Sequence, residues 1–185
     1  MKKVIVLLMA LMLLAGCNRT PVYPQPEGQT SDMSGYNGLE SEQFVDIDLD
    51  GIMKLLDEKK TAIIYFGYAS CPWCNALVPV LNEVSVEKQM KLYYLDWHAD
   101  INYQNEKIFE IVDICDQAGL VEEHYEDGTG AFYFPSVIYI YKGTPVILHS
   151  GTVSGHDGSQ GGLSEKQAAR LKYMLEKEFD SLIIQ

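Results

Sequence analysis

One continuous run of residues without charge, at 61–66, restricts the possible folds of this chain more than any other feature. It contains a threonine, an alanine, two isoleucines, a tyrosine and a phenylalanine. β-Branched and aromatic residues favour strands, and a strand that lacks alternation of apolar and polar residues is typical of the middle of a sheet that is covered on both faces. The rest of the chain must therefore supply elements that cover both faces of a central sheet.

Strand-like and helix-like segments alternate along the chain. Strands are predicted at 44–47, 61–66, 91–97, 132–141 and 145–149, and helices at 49–60, 75–86, 102–117 and from 168 onward. This alternation predicts an α/β domain in which helices flank a mixed central sheet. Lys142-Gly143 predicts the turn of a C-terminal hairpin, and a capping box that begins at Ser164 predicts the start of the last helix.

A dithiol motif, Cys71-Pro72-Trp73-Cys74, follows the central strand and begins the next helix. The N–H groups and the dipole at a helix start favour a thiolate, so Cys71 is the candidate nucleophile and Cys74 the candidate resolving thiol. Trp73 could contact a substrate or merely cover the motif. Such a pair is also one half of some metal sites, but a zinc site needs further ligands, and Cys115 with four scattered histidines does not offer them. We therefore predict neither a metal nor a cofactor.

The N-terminus has the pattern of an export signal. A short positive start precedes an uncharged apolar run at 4–14, which is too short to span a bilayer as a finished helix. The run ends in Leu14-Ala15-Gly16-Cys17, which resembles the lipobox of bacterial lipoproteins. The alternatives are an ordinary signal peptide with a free Cys17, or an uncleaved anchor.

The lipobox resemblance divides the chain into three parts. It implies a lipoprotein signal peptide at 1–16 and lipidation of Cys17. Residues 17–40 are then the lipidated cysteine and a disordered tether, because this stretch is rich in Pro, Gly, Ser and Gln and has no apolar periodicity. The remaining residues, 41–185, form the folded domain. We expect this domain to lie outside the cytoplasm, anchored to the cell membrane by its lipid.

Charge and cysteine content narrow the possible partners. The formal net charge is -12 at pH 7, and an acidic chain is repelled by phosphate backbones, so no nucleic-acid partner is expected. Four cysteines are too few for a scaffold of disulfides in a chain of 185 residues. Cys115 falls on the apolar stripe of its predicted helix, and we expect it to be a buried, inert thiol.

The order of elements, with a Cys-x-x-Cys motif after the central strand, resembles the thioredoxin fold over residues 41–185. Pro79 lies eight residues after the first cysteine of the motif, where thioredoxins kink this helix. Phe134-Pro135 stands before the terminal hairpin, where the family carries a cis-proline. The resemblance implies that Phe134 and Pro135 bind the substrate together with Trp73; the alternative is a trans proline at the start of a strand.

The chain departs from thioredoxins at Tyr65. This residue stands six positions before Cys71, where thioredoxins carry a buried acidic residue. That carboxylate helps to move the proton of the second cysteine, so its absence leaves the route of the proton open. The finer resemblance is to bacterial thioredoxin-like lipoproteins and bacteriocin-transport accessory proteins.

The function that these features predict is a membrane-tethered, extracytoplasmic thiol–disulfide oxidoreductase. It would act on cysteines of exported proteins through Cys71 and Cys74, and it would exchange electrons with an unidentified membrane donor or acceptor. The alternatives are a non-catalytic thioredoxin-fold accessory module for a peptide or bacteriocin exporter, and a metallochaperone. The sequence leaves open whether the dithiol oxidises or reduces its substrates.

Overall fold

A five-stranded sheet forms the centre of the molecule in the computed structural model, which describes residues 25–98 and 106–184. The strands are β1 (Phe44–Asp46), β2 (Ala62–Gly67), β3 (Leu92–Asp96), β4 (Ser136–Tyr141) and β5 (Thr144–Ser150). The helices are α1 (Leu49–Asp57), α2 (Pro72–Glu87), α3 (Glu106–Gln117) and α4 (Glu165–Ile184), with a 3-10 turn at Gly158–Gln160.

The sheet has the order β1-β3-β2-β4-β5 and is mixed. Strand β3 runs parallel to both β1 and β2, while β4 runs antiparallel to β2 and forms the C-terminal hairpin with β5. All residues of the central strand β2 are buried, as the sequence predicts. This arrangement confirms the predicted α/β class, with a thioredoxin-like order of strands and helices.

Alternate residues of β2 face two separate cores. Ile63 and Tyr65 pack with helices α2 and α4, whereas Ile64 and Phe66 pack with helices α1 and α3. Cys115, on α3, is fully buried in the second core, which confirms its predicted position. The two helical layers explain why β2 carries no polar alternation, since neither of its faces meets water.

At the dithiol end of the sheet, one helix and one strand begin at residues other than those predicted. Helix α2 begins at Pro72 rather than residue 75, because Cys71 is its N-cap and accepts a hydrogen bond from the backbone N–H of Cys74. Strand β4 begins at Ser136 rather than residue 132. The chain before β4 contains a cis bond between Phe134 and Pro135.

The segment 25–40 corrects the prediction of a disordered tether that reaches residue 40. Thr30 forms an antiparallel bridge with Val45 on the edge strand β1. Met33 and Tyr36 are 2% and 1% exposed and belong to the first core. Isolated apolar residues among polar ones have no strand or helix period, so the sequence pattern did not predict that this segment is ordered. It is held in place by contacts with distant parts of the chain.

The predicted membrane anchor cannot be compared with the structure. The predicted signal peptide and Cys17 lie outside the described residues, which begin at residue 25. No helix within the described part of the chain has both the length and the apolar character needed to cross a membrane.

Candidate active site

The dithiol lies at the start of helix α2, just after the short loop that follows strand β2. The Sγ atom of Cys71 accepts a hydrogen bond from the backbone N–H of Cys74 at 3.3 Å. The side-chain amide of Asn75 donates to the carbonyl oxygens of Ala69 and Cys71, which fixes the turn that precedes the helix. Both thiols are free, with Cys71 at 3% exposure and Cys74 at 0%. The two thiols are therefore both buried at the start of α2, and their roles as nucleophile and resolving thiol remain predictions.

The two thiols have opposite acidities. A hydrogen bond from the Cys74 thiol, supplemented by the backbone N–H groups of Cys74 and Trp73, lowers the pKa of Cys71 to about 6 against the effect of burial. The same hydrogen bond, together with burial, raises the pKa of Cys74. Near neutral pH the pair therefore consists of a Cys71 thiolate that accepts a hydrogen bond from a protonated Cys74.

The cis bond predicted for the Phe134–Pro135 pair is present in the structure and lies beside the dithiol. The carbonyl oxygen of Phe134 is 4.0 Å from the Sγ atom of Cys71. Pro135 is buried, while the ring of Phe134 is half-buried. The sequence therefore identified correctly which proline stands next to the cysteines, although substrate binding by this loop remains a prediction.

A group of aromatic side chains surrounds Phe134, and sequence reasoning did not find it. The ring of Phe134 lies 4.8 Å from Trp97 and 5.7 Å from Tyr68, between ring centroids. The imidazole of His98 stacks on Tyr68 at 4.2 Å. Tyr68 and Trp97 directly follow the parallel strands β2 and β3, whose carboxyl ends meet at one edge of the sheet. Aromatic residues that follow neighbouring parallel strands were the signal that could have located this group.

Trp73 is half-buried beneath the glycine-rich loop 151–162. A Cβ atom added to Gly158 would lie 2.8 Å from the indole ring and 2.9 Å from the backbone nitrogen of Trp73. Glycine is thus needed at this position because the loop lies directly against the motif. The covered face of Trp73 is occupied by the protein itself, which leaves only the remaining part of the ring for a substrate.

Tyr65 occupies a buried position behind Cys74, on the face of β2 that packs against α2. Its hydroxyl donates a hydrogen bond to the hydroxyl of Tyr36 at 3.2 Å, and Tyr36 in turn lies 2.8 Å from the hydroxyl of Tyr94. Tyr36 comes from the segment that was predicted to be disordered. The surroundings of Cys74 therefore contain neutral hydroxyls at the place where the sequence resemblance expects a carboxylate.

The remaining described cysteine and two of the four histidines are held away from the dithiol. Within residues 25–98 and 106–184, no group of three or more Cys, His, Asp or Glu side chains could hold a metal ion. His149 pairs with Glu178, and His124 pairs with Asp116, both away from the dithiol. Burial raises the pKa of Cys115 to about 12. Among the four histidines, only His98 stands in the aromatic group beside the site.

Comparison with known proteins gives similarities of fold only. No protein-family model matches the chain. Among solved structures, it is similar to thioredoxin O2 from Arabidopsis thaliana, with 15% identity, a TM-score of 0.44, and coverage of 74% of this chain and 95% of the other. It is also similar to a thioredoxin-like protein from Clostridium perfringens, with 18% identity, a TM-score of 0.43, and coverage of 78% and 84%. The strand order, the Cys-x-x-Cys turn and the adjacent cis-proline make the fold thioredoxin-like.

Proposed function

We propose that the protein is a thiol–disulfide oxidoreductase in which Cys71 is the nucleophile and Cys74 the resolving thiol. One observation carries the proposal: the Sγ atom of Cys71 caps helix α2, accepts a hydrogen bond from the Cys74 backbone, and lies 4.0 Å from the carbonyl oxygen of Phe134. An attacking thiolate and a second thiol close enough to resolve the mixed disulfide are the groups that this exchange requires at one place.

The exchange proceeds in two balanced steps. In the reducing direction the Cys71 thiolate attacks one sulfur of a substrate disulfide, and the other substrate sulfur leaves as a thiolate with the bonding electron pair. Cys74 then attacks the Sγ atom of Cys71, and the first substrate sulfur leaves in the same way. The proton that Cys74 loses and one proton from solvent convert the two leaving thiolates into thiols, and the enzyme is left with a disulfide between Cys71 and Cys74. The oxidising direction is the reverse of these steps.

The substrate would be an extended segment of an exported protein that contains a cysteine. The backbone of Phe134, before the cis-proline, can pair with such a segment as an added strand. The rings of Tyr68, Trp97 and Phe134 supply an apolar surface next to Cys71. The aromatic surface favours apolar residues next to the substrate cysteine, since the surface offers contact area rather than charge.

We also propose that the protein is attached to the cell membrane and exchanges electrons with a membrane protein. The positive start, the short apolar run and the lipobox that ends at Cys17 support lipidation and attachment to the outer side of the cell membrane. A membrane protein that donates or accepts electrons would regenerate the dithiol after each turnover.

The test uses single-cysteine variants and a model peptide with one disulfide. Cys71→Ser should abolish exchange, while Cys74→Ser should accumulate a mixed disulfide with the peptide, because no thiol is left to resolve it. Cys115→Ala is the matched control, since it removes a thiol that is buried in the other core. If the variant lacking both Cys71 and Cys74 keeps its full biological activity in cells, the protein is an accessory module, as the bacteriocin-transport alternative holds.

The reduction potential gives the direction of exchange. A lowered pKa of Cys71 stabilises the reduced form, which makes a dithiol more oxidising. The pKa of Cys71 is lowered from the ordinary range of a thiol, as are the values of about 7 for thioredoxin and about 3.5 for DsbA. We therefore expect a potential between about -270 mV and about -120 mV, measured by equilibration with glutathione buffers. A potential at or below the lower figure would contradict the link between this pKa and the direction of exchange.

A further inference from the structure

The segment 25–40 lies against the loop that leads to the dithiol. Gly35 approaches Ala69 so closely that a Cβ atom added to the glycine would lie 2.8 Å from the Cβ atom of the alanine. Only a residue without a Cβ atom allows this approach. Ala69 stands two residues before Cys71, in the loop that joins β2 to α2. The segment is therefore in direct contact with the loop that precedes the candidate nucleophile.

The loop before Cys71 is joined to the first turn of α2 by hydrogen bonds. The side-chain amide of Asn75 donates to the carbonyl oxygen of Ala69 at 2.5 Å and to that of Cys71 at 3.1 Å. The backbone N–H of Cys71 donates to the carbonyl oxygen of Tyr68 at 3.1 Å. A displacement of Ala69 therefore also moves Cys71 relative to the helix, where the backbone N–H of Cys74 is 3.3 Å from its sulfur.

Two buried side chains fix the segment on either side of Gly35. Met33 is 2% exposed and Tyr36 is 1% exposed, and both belong to the first core. The hydroxyl of Tyr36 accepts a hydrogen bond from Tyr65 on β2 at 3.2 Å and lies 2.8 Å from the hydroxyl of Tyr94 on β3. Gly35 is thus held against the loop by anchors in the core, unlike a turn that is free on the surface.

We propose that Gly35 is a positioning residue for the nucleophile: through its contact with Ala69, the docked segment 25–40 holds Cys71 at the start of α2. This inference deepens the proposed function and rests on it, because it concerns the reactivity of the cysteine that attacks the substrate. The segment acts through the loop 68–70 and not on the sulfur atom itself.

The segment acts by position and not by charge. The stretch 31–39 around Gly35 contains one carboxylate, that of Asp32, which is exposed and accepts a hydrogen bond from the backbone N–H of Ser34 at 3.0 Å. The tyrosines of the segment and of the neighbouring strands stay neutral, because burial raises the pKa of each one: Tyr36, Tyr65 and Tyr94. A displaced Cys71 therefore becomes less acidic because its hydrogen bonds with Cys74 weaken, without any new charge nearby.

The test compares Gly35→Ala with Gly51→Ala in the reduced full chain. At both glycines an added Cβ atom would lie 2.8 Å from its nearest neighbour, but at Gly51, on α1, that neighbour is the side chain of Ile47. Alkylation of Cys71 by iodoacetamide is followed between pH 4 and 10 by mass spectrometry of peptides. Gly35→Ala should raise the pH of half-maximal rate by about one unit, as expected when a hydrogen bond to a charged group weakens. Gly51→Ala should keep the midpoint of the parent.

Substitution of Ala69 separates this contact from a general loss of stability. Ala69→Gly removes the Cβ atom that the new methyl group of Gly35→Ala would meet, so the double variant should return to the midpoint of Ala69→Gly alone. A double variant that keeps the raised midpoint would show that the contact is not the cause. If Gly35→Ala does not fold, as judged by urea titration, Ala69→Gly decides alone. It loosens the same contact without crowding and should raise the midpoint by a smaller amount; an unchanged midpoint would overturn the proposal.

Asp32→Asn tests position against charge. It should leave the midpoint of Cys71 where the parent has it, and a shift as large as that of Gly35→Ala would mean that charge is the cause and that the positioning role is wrong.

The outcomes distinguish the two proposals. If Gly35→Ala folds and has the same midpoint as Gly51→Ala, while the parent exchanges disulfides with the model peptide, the role of Gly35 is refuted and the oxidoreductase proposal stands. If Gly35→Ala raises the midpoint but the parent exchanges no disulfide, the proposed function fails, while the positioning of Cys71 by the segment stands.

Discussion

The acidity of Cys71 gives the sharpest prediction of the structure. Its pKa is lowered to about 6, mainly by the hydrogen bond from the Cys74 thiol. At pH 7 a thiol with this pKa is about 90% thiolate, whereas a free thiol with a pKa of about 8.5 is about 3% thiolate. Because the thiolate is the nucleophile, Cys71 should have about thirtyfold more reactive form at neutral pH than an ordinary cysteine.

The assay is the rate of alkylation of the reduced protein by iodoacetamide between pH 4 and 10, with the modified cysteine identified by mass spectrometry of peptides. The rate at Cys71 should rise with pH and reach half its maximum near pH 6. In Cys74→Ala the midpoint should move upward, because the hydrogen-bonding thiol is lost while the backbone N–H at position 74 still stabilises the thiolate in part. Cys115, whose pKa burial raises to about 12, should stay unmodified and serves as the internal control.

Two results would contradict this explanation of the low pKa of Cys71. A midpoint at or above pH 8 in the parent protein would show that the helix start and Cys74 do not stabilise the thiolate. A midpoint near pH 6 that does not move in Cys74→Ala would show that the backbone N–H groups, rather than the Cys74 thiol, are responsible. Unfolding in urea abolishes both effects, so the midpoint of the unfolded chain should return to the ordinary range for cysteine.

Two substitutions and one change of pH test other features of the fold. Gly158→Ala should displace the glycine-rich loop from Trp73 and change the rate of peptide exchange more than Gly162→Ala, because a Cβ at position 162 meets nothing within 4 Å; equal rates in both variants would contradict the contact. Met33→Ala should lower the free energy of unfolding by about 2–5 kcal/mol, as for a buried core residue, measured in urea with the exposed Ser34→Ala as control; no change would mean that the N-terminal segment is not held in the core. The folded pKa of Cys71 lies below its unfolded value, so the stabilisation it gives the reduced protein is fully present above the unfolded pKa and is lost as the pH falls through about 6. Urea unfolding of the reduced protein at pH 6 and pH 8 should therefore show higher stability at pH 8, relative to the oxidised protein, and a decrease would refute the sign.

Local patterns in the sequence predict the dithiol end of the fold. The apolar run before Cys71 and the helical stripe after Cys74 each depend on residues within a few positions of one another, whereas the cis bond at Pro135 was expected only from the resemblance to thioredoxins. The alternation of strands and helices gives the α/β class for the same reason. These are the parts of the structure in which residue type and short-range spacing already determine the outcome.

Contacts between distant residues were not accessible in the same way. Tyr36 meets Tyr65 and Tyr94 across 29 and 58 residues, and no period in the segment 25–40 indicates such a contact. Tyr65 was recognised only as a missing carboxylate, because its partners come from other parts of the chain. The aromatic group around Phe134 is likewise assembled from the ends of separate strands.

The docked segment 25–40 also covers one edge of the sheet. The backbone N–H groups of Ser31 and Asp46 donate to the carbonyl oxygens of Phe44 and Gln29, so the free side of β1 is paired with the chain itself. An exposed edge strand offers unpaired backbone groups to other chains. Because residues 29–31 already occupy these groups, the β1 edge is not available for pairing with a second polypeptide.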